Sequence, residues 1–193
     1  SGFDDEIAPV TVKSRRGETI VDKDQEPPMC NLDKLPTLRA AFKKDGTVTA
    51  ATSSKISDGA AATVMMSSQK AAELGLTPLA TIVAHATFSH DPEWFTTAPA
   101  GGIALVLKKA GWTVADVDLF EVNEAFATVA MAAMREHNID HDKLNVNGGA
   151  CALGHPIGAS GARLVVTLIN ALRQRGLKKG VATLCNGGGE ATA

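Results

Sequence analysis

Tyrosine is absent from these 193 residues, and aromatic residues together make up only 4%. Neither stacking platforms for nucleobases nor an aromatic-rich contact surface is therefore indicated. Charge of one sign is lacking too: 19 Lys and Arg face 21 Asp and Glu, for a net charge of -2. No basic block interleaved with aromatics occurs, so nucleic acid and anionic membranes are not expected as partners. Cysteine is sparse. Cys30, Cys151 and Cys185 show no metal-ligand spacing, the five histidines do not cluster with them, and an odd count argues against a disulfide framework. No metal site follows. No apolar run reaches the roughly 18 residues that span a bilayer. The acidic start Ser1-Gly-Phe-Asp-Asp-Glu6 lacks the charged-then-apolar layout of a signal peptide. A cytoplasmic location is the expectation.

What is present is an ordinary globular composition, 45% hydrophobic and 21% charged, enough to bury a core. Residues 6–22 alternate around Ser14-Arg-Arg-Gly17 and predict a β-hairpin. Residues 23–34, with Pro27-Pro28, predict a connecting arm, and Leu35–Phe42 a short helical turn. Residues 1–46 thus read as an appendage to a domain over 47–193. Within that domain, strands are expected at Ala60–Met66, Leu79–Phe88, Val117–Val122, Leu144–Asn147 and Val181–Cys185. Helices are expected at Ser68–Leu74, stopped by Gly75, and at Ala98–Ala110, stopped by Gly111, although Gly101-Gly102 weakens the start of the latter. Thr113 and Asp116 form a capping signal. A helix opening at Asn123 and another over Ala162–Arg175 are apolar nearly all round, which implies cover on every side and hence self-association. Strands alternating with helices after residue 47 indicate an α/β layered domain.

Polar groups at the carboxyl ends of strands converge on one crevice in such a fold. Three sit there by pattern: Asn123, His155 and Cys185. His155 precedes Pro156 in a run holding Gly148, Gly149, Gly154, Gly158 and Gly161, so its imidazole stands on a rigid bend. A hydrogen-bonded turn histidine is the plainer alternative. Cys185 precedes Gly187-Gly-Gly189, whose N–H groups could hold an oxyanion beside a thiol nucleophile or base, whereas a small buried hydrophobe is the commoner fate of a free cysteine. Asn123 is equally suited to capping the helix it begins. Cys151 reads as packing and Cys30 as incidental. Ser53, Ser54 and Asp58 suit either a polar ligand or local capping. The glycine run fits neither Gly-x-Gly-x-x-Gly nor the Walker A pattern.

Three blocks, Asn123-Glu-Ala-Phe-Ala127, Asn147-x-Gly-Gly with Gly154-His-Pro-Ile-Gly158-Ala-Ser-Gly161, and Cys185-x-Gly-Gly-Gly189, together resemble the signature blocks of the C-terminal half of thiolases. Thr47–Ala62 also resembles that family's Ser-x-x-x-Asp-Gly-Ala-Ala stretch. The resemblance implies a thiolase-like layered fold with a mixed sheet flanked by helices. It also implies ping-pong acyl transfer between CoA thioesters, namely Claisen condensation or thiolysis of 3-ketoacyl-CoA through an acylated cysteine. By motif position His155 activates that cysteine and supports the thioester oxyanion, Asn123 holds a water of the oxyanion hole, and Cys185 is the acid/base. The Gly187 N–H belongs to a second oxyanion hole, and Ser54 and Phe126 line the pantetheine channel. Acetyl-CoA and 3-ketoacyl-CoA are substrates, with no cofactor.

The family's acylated cysteine sits in a block of the kind Cys-x-Ser-Gly, and neither Cys30 nor Cys151 has that context. The expectation is therefore a C-terminal half that lacks its N-terminal half, is inactive alone and forms homo-oligomers. The rival readings are a catalytically dead CoA-binding or assembly module and a condensing enzyme of the ketoacyl-synthase type. The latter uses a different polar set in place of the Asn-Glu-Ala-Phe and Cys-x-Gly-Gly-Gly blocks.

Overall fold

Alternation on either side of Arg15-Arg16 produces the expected hairpin. β1 (Val10–Ser14) pairs antiparallel with β2 (Gly17–Val21), with Val10 opposite Val21 and Ser14 opposite Gly17. The structure, a computed structural model, describes residues 2–193. After the hairpin, Pro27 and Pro28 permit only the single turn α1 (Glu26–Met29) and a 3-10 stretch, Leu32–Thr37. These first residues do not stand off from the rest. Glu6 accepts hydrogen bonds from Thr167 Oγ1 (3.4 Å) and Asn170 Nδ2 (3.3 Å), and Lys55 Nζ donates to Glu26 Oε1 at 2.6 Å.

Further along, α2 (Ser68–Glu73) is capped by Ser67, whose hydroxyl accepts from the Lys70 N–H. A four-stranded sheet follows in the order β3 (Thr87–Ser89), β6 (Glu190–Thr192), β5 (Gly180–Cys185), β4 (Leu119–Val122). Only β4 and β5 run parallel; β5–β6 and β6–β3 are antiparallel, so the sheet is mixed. The period of two along β4 divides its side chains between two layers. Phe120 and Val122 join α3 (Ala98–Ala110) and α4 (Ala127–His137) in one core with Ile103, Val129 and Val181. Leu119 packs instead against Leu168, Ala171 and Leu172 of α6 (Ser160–Gln174). Glu121 points to that side too, toward Arg163. All four residues of β4 are buried, which explains their unbroken apolar run apart from that one carboxylate.

Gly101 and Gly102 turn out to be contact residues. A Cβ on Gly101 would lie 2.5 Å from the Phe88 ring, and Gly102 faces Thr183 of β5. They bring α3 down onto the sheet. The Thr113–Asp116 capping box is present, with the Asp116 carboxylate accepting from both the Thr113 N–H and hydroxyl.

Six expectations are corrected. Residues 60–66 form no strand and are largely exposed, Val64 at 90%; likewise only Thr87–Ser89 of the expected 79–88 strand is formed. No described strand pairs with residues 60–66 or 79–85, so their β propensity finds no ladder, whereas Ala86 exchanges both backbone hydrogen bonds with Ala193. Residues 144–147 make only isolated bridges, Phe120 with Leu144 and Val146 with Gly148. α6 is one-sided: Ser160, Leu164, Thr167, Leu168, Ala171 and Leu172 are buried at helical spacing. Similarly, α4 buries Val129, Ala130 and Ala133 while Met131 is 62% exposed. Neither helix is apolar all round, so neither requires cover on every side. Finally, the helix expected to open at Asn123 starts four residues later, at Ala127, with Phe126 at its N-cap position.

Candidate active site at the ends of the parallel strands

Because β4 and β5 are parallel, their carboxyl ends lie side by side. Asn123 follows β4 directly and its N–H donates to Thr183 O at 3.0 Å; Cys185 closes β5. The glycine run forms a short helix α5 (Ala150–Leu153) and then turns at Gly154, with φ 94°. A Cβ at Gly154 would lie 2.0 Å from Ser57 Oγ, so this bend needs glycine on both counts. Beyond the bend the His155 N–H donates to Lys55 O at 2.7 Å. The imidazole then reaches Asn123, with His155 Nε2 3.3 Å from Asn123 Nδ2. Its other nitrogen, Nδ1, is 2.5 Å from Ser160 Oγ in the first turn of α6.

Asn123 is fully buried, yet it caps no helix, and its Oδ1 has no protein partner. A buried carbonyl oxygen left open beside an imidazole is available to water or ligand. Ser54 is set by the same loop: its N–H and hydroxyl both donate to Ala125 O, at 3.1 and 2.9 Å. Ser53 forms an antiparallel bridge with Phe126, whose ring meets Phe42 and Phe95 edge-on at 6.0 and 6.4 Å. Ser54 and Phe126 thus belong to one wall. Gly187 lies in the Asn186–Gly189 turn between β5 and β6, with nothing within 4 Å of where a Cβ would be. Ser53 donates locally to Thr49 O.

Burial pushes the Cys185 thiol up, only partly opposed by its own backbone N–H, so it rests protonated. Burial, and secondarily the Arg163 charge, holds His155 below the usual histidine range, so the imidazole is neutral near pH 7. Cys151 is pushed up to about 12 by burial, reinforced by the neighbouring Glu124 carboxylate. It is a poor nucleophile, consistent with packing. Cys30 is exposed on the arm.

Several supporting residues escaped the sequence analysis. Glu124 accepts from Asn145 Nδ2 (2.8 Å) and from the Cys151 N–H (3.1 Å), clamping the Asn123 loop to the glycine run. Gly149 leaves room for that carboxylate. Asn145 stands in for a missing strand: its side-chain amide accepts from Val122 N–H at 2.8 Å and donates to Val122 O at 2.9 Å. Glu124 was visible inside a recognised block, and Ser160 inside the glycine run; Asn145 carries no local signal. Among the described residues no group of three or more His, Cys, Asp or Glu is placed to hold a metal ion, and no helix is long and apolar enough to cross a membrane.

The family model of the thiolase C-terminal domain matches residues 76–193. The chain belongs to the thiolase family. The model of the thiolase N-terminal domain matches residues 1–69, which overturns the expectation of a C-terminal half with its N-terminal half missing. Within that opening stretch Lys55 bonds Glu26, and Glu6 accepts from Thr167 and Asn170 of α6. A probable acetyl-CoA acetyltransferase of Dictyostelium discoideum is 53% identical over 192 residues, covering 99% of this thiolase chain and 46% of the relative. The crystal structure of the Bacillus anthracis acetyl-CoA acetyltransferase superposes with a TM-score of 0.95 at 47% identity, covering 99% of this chain and 49% of that one. The human mitochondrial 3-ketoacyl-CoA thiolase in complex with CoA gives a TM-score of 0.88 at 40% identity, over 99% of this chain and 48% of that one. This thiolase chain spans about half the length of the relatives it matches.

Proposed function

We propose that this chain supplies the proton-handling residues of a thiolase site that condenses acetyl-CoA with an acyl group to make 3-ketoacyl-CoA or, with CoA taking the acyl group off the enzyme thiol, cleaves it to acetyl-CoA and a shortened acyl-CoA. The observation that carries the reading is the direct meeting of Asn123 and His155, 3.3 Å apart, at the end of the strand beside Cys185. None of the three cysteines here suits the acyl-accepting role: Cys30 is exposed, burial and Glu124 push the Cys151 thiol up to about 12, and Cys185 matches the acid/base position. The acyl-accepting thiol is none of these three. His155, neutral and with a nitrogen facing the site, takes the proton of that thiol, and its attack on a 3-ketoacyl thioester breaks the carbon–carbon bond. Cys185, resting protonated, then gives its proton to the departing acetyl-CoA enolate; in condensation the same sulfur removes that proton. The open Asn123 Oδ1 holds water that completes one oxyanion hole, and the Gly187 N–H serves the other. Ser54 and Phe126 line the approach of the pantetheine arm. The site acts without a further cofactor, and assembly of the enzyme from several copies belongs to the same reading, as does a cytoplasmic location.

The test is a chimera in which this chain replaces the matching half of the Bacillus anthracis acetyl-CoA acetyltransferase. It is expected to thiolyse acetoacetyl-CoA, and Cys185→Ala or His155→Ala should each lower kcat by roughly 10²–10⁴. A folded chimera without activity would favour a CoA-binding or assembly module.

A further inference from the structure

We propose that Ser160 is the positioning residue that fixes the proton of His155 on Nδ1, leaving Nε2 as the open base. The inference rests on the base role proposed for His155 and adds what makes that role possible. A neutral imidazole has one N–H, and only the nitrogen without it can accept a proton. Two contacts agree on which nitrogen that is. Ser160 Oγ donates its single proton to Pro156 O at 3.0 Å, so toward His155 Nδ1, 2.5 Å away, it is an acceptor. On the other side Asn123 Nδ2–H faces Nε2 at 3.3 Å, which suits a lone pair there. Ser160 is 1% exposed, so water does not compete for this bond.

The helix that carries Ser160 makes the arrangement stiff. Three residues on, Arg163 pairs with buried Glu121 of β4 at 3.4 Å, two residues before Asn123. The nitrogens of His155 are thereby held between α6 on one side and the end of β4 on the other. When Nε2 takes the thiol proton, Nδ1–H still has the Ser160 oxygen to bond, so the imidazolium loses no partner on that side. The balance is simple: the S–H bond breaks, the Nε2–H bond forms, and the charge separates into thiolate and imidazolium.

The experiment is ¹⁵N NMR of the chain labelled at histidine, with His155 assigned by its loss in His155→Gln. Near neutral pH the parent chain should show Nδ1 as the protonated, pyrrole-like nitrogen and Nε2 as pyridine-like. Ser160→Ala should shift the equilibrium toward Nε2–H, the form that free imidazole side chains favour, while Ser160→Thr, which keeps the hydroxyl, should retain Nδ1–H. A parent chain carrying Nε2–H overturns the proposal, since Ser160 would then be donating to Nδ1 and relieving Pro156 O, which already accepts from the Ala159 and Ser160 amides. An unchanged tautomer in folded Ser160→Ala overturns it equally. If that variant does not fold, the parent spectrum and Ser160→Thr still decide. In the active chimera, Ser160→Ala should lower kcat/KM by about tenfold or more, as removal of an orienting partner commonly does, with activity regained in Ser160→Thr. The tautomer is read without turnover, so failure of this inference is distinguishable from failure of the thiolase reading.

Discussion

Glu121 offers a direct test of the packing between α6 and the sheet. Its side chain is 1% exposed, Oε1 has no partner, and Arg163 Nη1 reaches Oε2 at only 3.4 Å. Burial is the main reason its carboxyl is pushed up to about 7; Arg163 pulls it down, while the carboxylates of Glu124 and Glu6 push it further up. A carboxyl whose folded value lies above its unfolded one stabilises the fold fully below the unfolded value and loses that contribution as pH rises through the folded value. Here the window runs from 4.5 to about 7. At 1.36 kcal/mol per pH unit, the loss across it is about 3 kcal/mol. Glu121→Gln keeps the shape and an oxygen for Arg163 but cannot ionise. The quantity to follow is the difference in unfolding free energy between parent and Glu121→Gln, from urea titrations between pH 4 and 8. His155 titrates in both proteins and cancels, and repeating the comparison in a Glu6→Gln background removes the coupling to Glu6. The difference should shift by about 3 kcal/mol against the parent as pH rises from 4.5 to above 7, then level off. A flat difference, or one moving in the parent's favour, would refute the assignment of Glu121 as a buried carboxyl held neutral.

Other expectations follow from single contacts. Gly154→Ala places a Cβ against Ser57 Oγ at φ 94° and should cost about 2 kcal/mol or more in urea unfolding. Ser57→Gly should relieve only the contact part. Asn145 sits at φ 49° and satisfies both backbone groups of Val122. Asn145→Ala should therefore destabilise by roughly 2–4 kcal/mol, and Asn145→Gly by about 1 kcal/mol less because it accepts the backbone angle. Iodoacetamide at pH 8 followed by peptide mass spectrometry should label exposed Cys30 first, with Cys151 and Cys185 modified only after denaturation. Early labelling of Cys151 would contradict its burial beside Glu124.

Local pattern carried most of the element assignments because the determinants are themselves local. Gly111 ends α3, the Thr113 box caps its turn, and the alternation around Arg15-Arg16 makes a hairpin whose strands are adjacent in sequence. Pairing across the chain was less legible. The antiparallel turn of β5 into β6, which makes the sheet mixed, follows from Gly187-Gly-Gly189, visible as a turn but not as a hairpin. Residues 60–66 and 79–85 have the apolar, β-branched character of strands, but among the described residues no strand pairs with them. Composition signals what a segment can do in a ladder; whether a ladder is offered is a property of other residues.

The site turns on the same distinction at one residue. Asn123 ends a strand and precedes an Ala-rich helical stretch, and an asparagine there has two outlets for its amide: the first free N–H groups of the helix, or something across the crevice. The outcome depends on where the helix starts. Had α4 begun at Glu124, Asn123 would be its cap and His155 would lack this partner. Instead the backbone stays non-helical until Phe126, which is extended, because Ser54 bonds Ala125 O and Ser53 pairs with Phe126. Glu124 meanwhile draws the loop onto the glycine run through Cys151. These contacts come from residues some seventy positions upstream and about thirty downstream, so no window around Asn123 contains the answer. They move the helix start from Glu124 to Ala127 and release the Asn123 amide to the imidazole. Residues distant in sequence thereby decide that the Asn123 amide meets His155 and not the start of the helix.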